Sequence, residues 1–180
     1  ELPHPRRRML LFNQPEALSL GLVPRLLHLS WEQRSIDPVD SEDLARLAVE
    51  VLDHLSGEPP AQALVQDLRA RAWGQIGNAR RIRSDLRGAE EAFATARRHL
   101  DQGPHDPLEE ALFHHWLGGL RRDQRRLQEA IPLLQAACRL YRKIRDDESR
   151  AQALITLSIT YREANDPERA LTVMARAAQL

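Results

Sequence analysis

Three arginines stand at a fixed offset that suits the capture of an anion. Arg81, Arg122 and Arg162 each follow a small residue (Gly77, Gly118, Ser158) by four positions, and the small residues are 41 and 40 residues apart. A guanidinium is planar and always charged, and it meets a carboxylate or phosphate with two parallel donors. Other residue types with possible chemistry lack a complementary set. His114 and His115 are adjacent, so they point to different faces of a helix. With His99 and His105 they find no acidic or cysteine partners that would close a metal shell. Cys138 is the single cysteine, which removes any intrachain disulfide or cysteine-based zinc site, and it reads as a small packing residue. No serine sits in a nucleophile elbow, and no glycine loop is built to cradle phosphate. Glu109-Glu110 and Asp146-Asp147-Glu148 stand at helix starts, where acids suit the dipole. No catalytic residue, metal or cofactor is expected, and the chain reads as a non-enzyme.

The elements that position the arginines must be helices. Alanine, leucine, arginine and glutamate dominate, and all are good helix formers. Sheet formers are sparse, and aromatic residues make up only 4%. The chain has 180 residues, of which 42% are apolar, enough for a substantial core. Charge balances at 26 basic and 26 acidic residues, which argues against a general nucleic-acid or membrane-surface binder. Lys143 is the only lysine. GC-rich coding accounts for that simply, and selection for planar carboxylate or phosphate contacts is the alternative. No apolar run approaches the ~18 residues of a spanning helix, and Met9-Leu10-Leu11-Phe12 after three arginines is too short for a signal peptide. A cytoplasmic location is expected. The chain starts at Glu1 rather than Met, so it is expected to be a piece of a longer protein.

The same spacing runs through the apolar positions. Trp73-x-x-Ile76-Gly77 is followed by Ala89-x-x-x-Phe93 and Ala96. His114-x-x-Leu117-Gly118 is followed by Ala130-x-x-x-Leu134 and Ala137. Leu154-x-x-Leu157-Ser158 is followed by Ala170-x-x-x-Met174 and Ala177. No insertion is needed within any of the three. Each unit reads as two antiparallel helices whose small residues allow close backbone approach while large residues fill the space around them. A lone pair cannot bury its apolar face, so neighbours stack. Eight helices are predicted, over 15–34, 40–55, 60–82, 86–101, 106–122, 127–144, 147–163 and 167–179. Asp106-Pro107 and Asp166-Pro167 mark starts, and Asp40 or Ser41 is placed as the cap of the second helix. Residues 1–9 are expected to be a disordered arm. Residues 10–180 are expected to form one solenoid domain, with a degenerate pair over 10–58 and repeats over 60–102, 106–145 and 147–180. The last helix lacks a polar capping helix. The native chain is therefore expected to continue, or this end to meet a partner, which leaves oligomerisation open there.

These units resemble tetratricopeptide repeats, over about residues 60–180. The Trp73 unit carries the resemblance most fully, with Gly77-Asn78-Ala79 and Asp85-Leu86 at its turn. Arg80 and Arg121 depart from it, standing where the family usually has an aromatic. The period of about 40 exceeds the usual 34 and implies helices longer by about a turn, as in bacterial regulator and adaptor variants. The resemblance implies an all-α, right-handed superhelix of helical hairpins that binds proteins or peptides in a concave groove. Its geometry places in that groove Arg71, Gly74, Asn78, Arg81 and Ile82, then Leu112, His115, Gly119, Arg122 and Asp123, then Gln152, Ile155, Ile159, Arg162 and Glu163. On packed helices ~8–10 Å apart, the three arginines would form a ladder suited to an acidic peptide or a C-terminal carboxylate, and Asn78 could pair with peptide backbone. The competing reading is that the arginines merely pair with Asp123, Glu163 or other nearby acids. A chaperone-tail clamp is excluded: only Asn78 matches its set, with Gly74, Trp116, Gln152 and Thr156 at the other sites. The expected function is a protein- or peptide-binding scaffold within a larger bacterial regulatory or adaptor protein. The alternative is a nucleic-acid-binding or sensor domain that uses the groove arginines. No membrane partner is expected.

Overall fold

A computed structural model describes residues 4–13, 18–55 and 59–180, with the side chains of residues 4, 5 and 59–62 excepted. Among the described residues there is no strand. The helices are α1 (His4–Phe12), α2 (Leu22–Gln33), α3 (Pro38–His54), α4 (Pro59–Ile82), α5 (Leu86–Gln102), α6 (Pro107–Asp123), α7 (Leu127–Ile144), α8 (Asp147–Glu163) and α9 (Pro167–Ala177). The all-α prediction holds. None of these helices is long and apolar enough to cross a membrane. The chain divides into two units, Glu1–Pro104 and His105–Leu180, and each is described by itself.

The 40-residue spacing is visible in the hairpin turns themselves. Residues 83–85, 124–126 and 164–166 link α4 to α5, α6 to α7 and α8 to α9. Links this short between helices packed along their length force them antiparallel. Ser84, Arg125 and Asn165 take the left-handed conformation, with φ of 65°, 62° and 59°. The next amide reaches back across the helix end in each case: Asp85 to the Arg80 carbonyl at 3.0 Å, Arg126 to Arg121 at 2.8 Å, Asp166 to Tyr161 at 2.9 Å. That bond, with its shorter companion, satisfies carbonyls that the helix end would leave bare. Asp85 and Asp166 then cap the second helix through their side chains, whereas Arg126 supplies no cap.

The small residues do bring helices together. A methyl group built on Gly118 would lie 2.7 Å from Leu134 Cγ, and one on Gly77 would lie 3.0 Å from the Phe93 ring. Where Ser158 takes this place, its hydroxyl donates to the Ala170 carbonyl at 2.8 Å, tying α8 to α9. In the second unit the core joins Leu134 of α7 to Leu154, Leu157 and Tyr161 of α8 and Val173 of α9. Tyr141 packs with Ala111 and Ala153.

The first unit departs from expectation at its N-terminal end. The arm predicted over residues 1–9 is helical from His4 onward, with residues 1–3 outside the described ones. Arg7 pairs with Asp40 and Arg8 with Glu50, both on α3, and the Arg8 guanidinium lies 5.4 Å over the Phe12 ring. Those tertiary partners are invisible in a basic, apolar-poor segment. Hence nine described helices stand where eight were predicted. The predicted 15–34 helix begins only at Leu22 (residues 14–17 are not described), which puts Pro24, without an N–H, in the first turn, where it costs least. The cap of α3 is Asp37, whose carboxylate accepts from Val39 and Asp40 amides at 3.0 and 3.1 Å. Pro38 at the first helical position sets the start there, three residues before Asp40 and four before Ser41, the expected caps. The α2–α3 hairpin packs Val23, Leu26 and Leu27 against Leu44, Leu47, Val51 and Leu52, and Val65 and Leu68 of α4 complete that core.

Glu42, buried on α3, holds α3 to α4. Its Oε1 accepts from Arg46 at 2.7 and 3.0 Å and from Arg80 at 2.9 Å, and Oε2 accepts from Arg83 at 3.1 Å. Burial alone would raise its pKa. The hydrogen bonds and charges of Arg46 and Arg80 outweigh that and hold it below the usual carboxylate value. Arg80 also donates to the Gly88 carbonyl at 2.9 Å, which ties in α5. This explains an arginine at a position where the resemblance implies an aromatic.

Candidate functional site

In the first unit, the expected groove residues Arg71, Asn78 and Arg81 share one face of α4. Asn78 is buried, and its carbonyl oxygen accepts from Arg81 Nε at 3.1 Å and Nη2 at 2.9 Å. The pair therefore satisfies itself: the arginine is held by the asparagine that was to read peptide backbone. Arg71 is half-buried, and Ile82 is exposed.

In the second unit, α6 and α8 lie side by side. His115 on α6 places Nε2 3.3 Å from Thr156 Oγ1 on α8, and its ring meets Tyr141 edge-on with centroids 6.1 Å apart. Arg122 folds onto its neighbour Asp123, at 3.1 and 2.8 Å. Glu163 is taken by Arg125, at 3.2 Å. On α8, Gln152 and Ile159 are half-buried and Ile155 is 41% exposed. Arg162 is exposed and makes no ion pair or side-chain hydrogen bond with the described residues. Of the three ladder arginines, Arg81 and Arg122 have partners of their own. Arg81 lies in one unit, and Arg122 and Arg162 lie in the other.

The histidines form no metal centre: among the described residues no group of three or more His, Cys, Asp or Glu is placed to hold an ion. His114 lies 3.7 Å from Glu110 and packs edge-on against Phe113. His99 meets Gln66 at 2.7 Å, and burial, then the charges of Arg69 and Arg98, lower its pKa. Burial pushes the Cys138 thiol up to about 11, so at neutral pH it is protonated and slow to react.

The sequence reading missed a crevice of about 350 Å³ between α7 and α9, floored by α8. Leu154, Leu157 and Val173 form its apolar base. Its walls carry Arg139 and Arg142 from α7, Arg150 from α8, and Arg169 and Arg176 from α9, and no carboxylate lines it. At 100° per residue, Leu154, Leu157 and Tyr161 lie on the face of α8 opposite to Gln152, Ile155 and Ile159. The available signal was the arginine spacing on the second helices of the hairpins, i to i+3 on α7 and i to i+7 on α9.

Residues 109–180 match the family described as Tetratricopeptide repeat. No curated protein matches the chain. The crystal structure of BtubC (BKLC) from P. vanneervenii superposes with a TM-score of 0.56 at 16% identity, over 98% of this chain and 85% of that one. That likeness is one of fold.

Proposed function

We propose, on the premise that residues 109–180 belong to the tetratricopeptide repeat family, that this chain is a peptide-binding scaffold whose α6–α8 face receives an extended or helical segment of another protein. Protein interaction is the family's general role. The finer assignment rests on one observation: on α8 an exposed isoleucine, Ile155, a half-buried one, Ile159, and Arg162, with no ion pair among the described residues, share a face. Apolar side chains beside an uncommitted guanidinium supply burial for a ligand side chain and a charge-assisted bond to its carboxylate. Arg81 and Arg122 serve as framework rather than ligand contacts. We extend this reading to a role within a larger bacterial regulatory or adaptor protein, in the cytoplasm and without catalysis of its own, which the resemblance to long-period repeats supports.

Panning a random peptide library against the chain and measuring the enriched peptides by fluorescence anisotropy tests this. The double variant Ile155→Asp, Arg162→Ala should weaken them at least tenfold, which corresponds to about 1.4 kcal/mol. Arg122→Ala should change binding less than threefold. Peptides that bind the α8 double variant as they bind the unaltered chain would refute the assignment.

A further inference from the structure

We propose that the α7–α8–α9 crevice is a second recognition site, built for an acidic peptide segment of a partner protein that places an apolar side chain between its carboxylates. It lies on the opposite face of α8 from the groove and does not depend on the groove reading.

Charge segregation carries the argument. The chain is neutral, with 26 basic and 26 acidic residues, and many of its other arginines sit on acids. Three share Glu42, and Arg87, Arg97 and Arg126 each have a carboxylate three or four residues away. The crevice gathers at one opening several arginines that lack such a partner. Arg139, Arg142 and Arg176 are exposed and make no ion pair or side-chain hydrogen bond with the described residues. Arg150 and Arg169 reach only acids of their own first turns, Asp147 at 3.7 Å and Asp166 at 3.4 Å. Three unpaired guanidinium groups, beside two that are only loosely held, keep the opening positive until an anion arrives.

The floor and the spacing specify the rest. Leu154, Leu157 and Val173 offer apolar surface that a lone inorganic anion would leave uncovered, and about 350 Å³ accommodates a leucine-sized side chain with its flanks. Arg169 and Arg176 are two helical turns apart, roughly 10 Å. The positive wall therefore spans several residues of a peptide rather than one group. Nucleic acid fits less well, because the crevice offers no open aromatic face. The Tyr161 hydroxyl accepts from Gln135 at 2.8 Å, and the Arg169 guanidinium lies 5.9 Å over its ring.

Cys138, the only cysteine, lines the crevice and reports its occupancy. The probe is a capped, fluorescein-labelled Glu-Glu-Leu-Glu-Glu-Leu peptide, with Gln-for-Glu and Ser-for-Leu controls. Anisotropy should show the acidic peptide binding at least tenfold more tightly than either control. The double variant Arg139→Gln, Arg176→Gln should lose at least tenfold. Both of its side chains are exposed and make no ion pair among the described residues, so its circular dichroism and melting should match the unaltered chain. Saturating acidic peptide should slow alkylation of Cys138 by N-ethylmaleimide several-fold in the unaltered chain, a readout that needs no variant. Equal binding by the Gln control, no protection of Cys138, or protection by single-stranded oligo-dT but not by the peptide would each overturn the proposal. Binding lost in Ile155→Asp, Arg162→Ala but retained in Arg139→Gln, Arg176→Gln would put the peptide in the groove. That result would refute the crevice while leaving the groove reading intact.

Discussion

Replacing Glu42 with alanine should loosen the first unit more than any other single charge removal. Glu42 is only 6% exposed, and its carboxylate serves three guanidinium groups, one each from α3, α4 and the α4–α5 link. The three are not equal. Side chains of Arg46 and Arg83 are 41% and 46% exposed, so water replaces much of what they lose, and each contributes well under about 1 kcal/mol. Arg80 is 17% exposed. Without Glu42 it keeps only the Gly88 carbonyl and remains a half-desolvated charge. A hydrogen bond to a charged group contributes about 1.5–3 kcal/mol, and breaking a fully buried pair costs about 3–5 kcal/mol. The partial burial here places the loss at about 2–3 kcal/mol. Hydrogen exchange followed by mass spectrometry on α3 and α4 peptides reads the first unit without averaging over the second. The pH dependence has a definite sign. The folded pKa is lowered, so the unfolded chain binds this proton more readily. The stabilisation is fully present above the ordinary Glu value of about 4.3. It is lost as pH falls through that value toward the folded one. The advantage over Glu42→Gln should therefore shrink below about pH 4. A loss under about 0.5 kcal/mol at pH 7, or strict additivity of Glu42→Ala with Arg80→Ala in a double-mutant cycle, would refute the network.

Other consequences are simpler to check. Gly118→Ala should destabilise the second unit by about 1 kcal/mol in urea titration, because a clash with Leu134 of about 1–3 kcal/mol exceeds a helix-propensity gain of up to about 1 kcal/mol; a net gain would mean that α6 and α7 are not in contact there. Arg125→Asn should stabilise by about 0.5 kcal/mol, because asparagine tolerates the left-handed φ of 62° and serves at the equivalent Asn165; the ion pair it gives up is made by an arginine side chain 77% exposed. His99, whose pKa is lowered by burial and by Arg69 and Arg98, favours the neutral ring in the fold. Stability should therefore decline as pH falls through its ordinary value of about 6.5, and His99→Gln should flatten that decline in α4–α5 hydrogen exchange.

The repeated hairpins were legible because their information is local. Gly77, Gly118 and Ser158 fall at one spacing, and the structure sets each against the second helix of its hairpin. Asp85 and Asp166 stand where a cap is needed, and the left-handed Ser84, Arg125 and Asn165 recur at the same interval. What the sequence hid is tertiary. The residues of α1 find their partners on α3, more than thirty positions away, and no helical period reveals that. Arg80 looked like a departure from the repeat pattern; only the α3–α4 packing shows that it exchanges an aromatic contact for an ion pair with Glu42.

The arginine column shows why spacing alone does not identify a binding residue. Arg81, Arg122 and Arg162 occupy equivalent positions, yet their free valence differs with their neighbours. Asn78 precedes Arg81 by one helical turn and occupies it, and Asp123 follows Arg122 directly and does the same. A guanidinium that already has its acceptor must lose that bond before it captures a ligand, so its net contribution to affinity falls toward zero. Arg139, Arg142 and Arg176 face the opposite situation. Their usefulness comes from acids missing around the crevice, a property of three helices together rather than of any one register. Ligand-binding charge in such a fold is therefore found by asking which cations the fold has left unneutralised, and by that criterion the α7–α9 crevice ranks above the ladder.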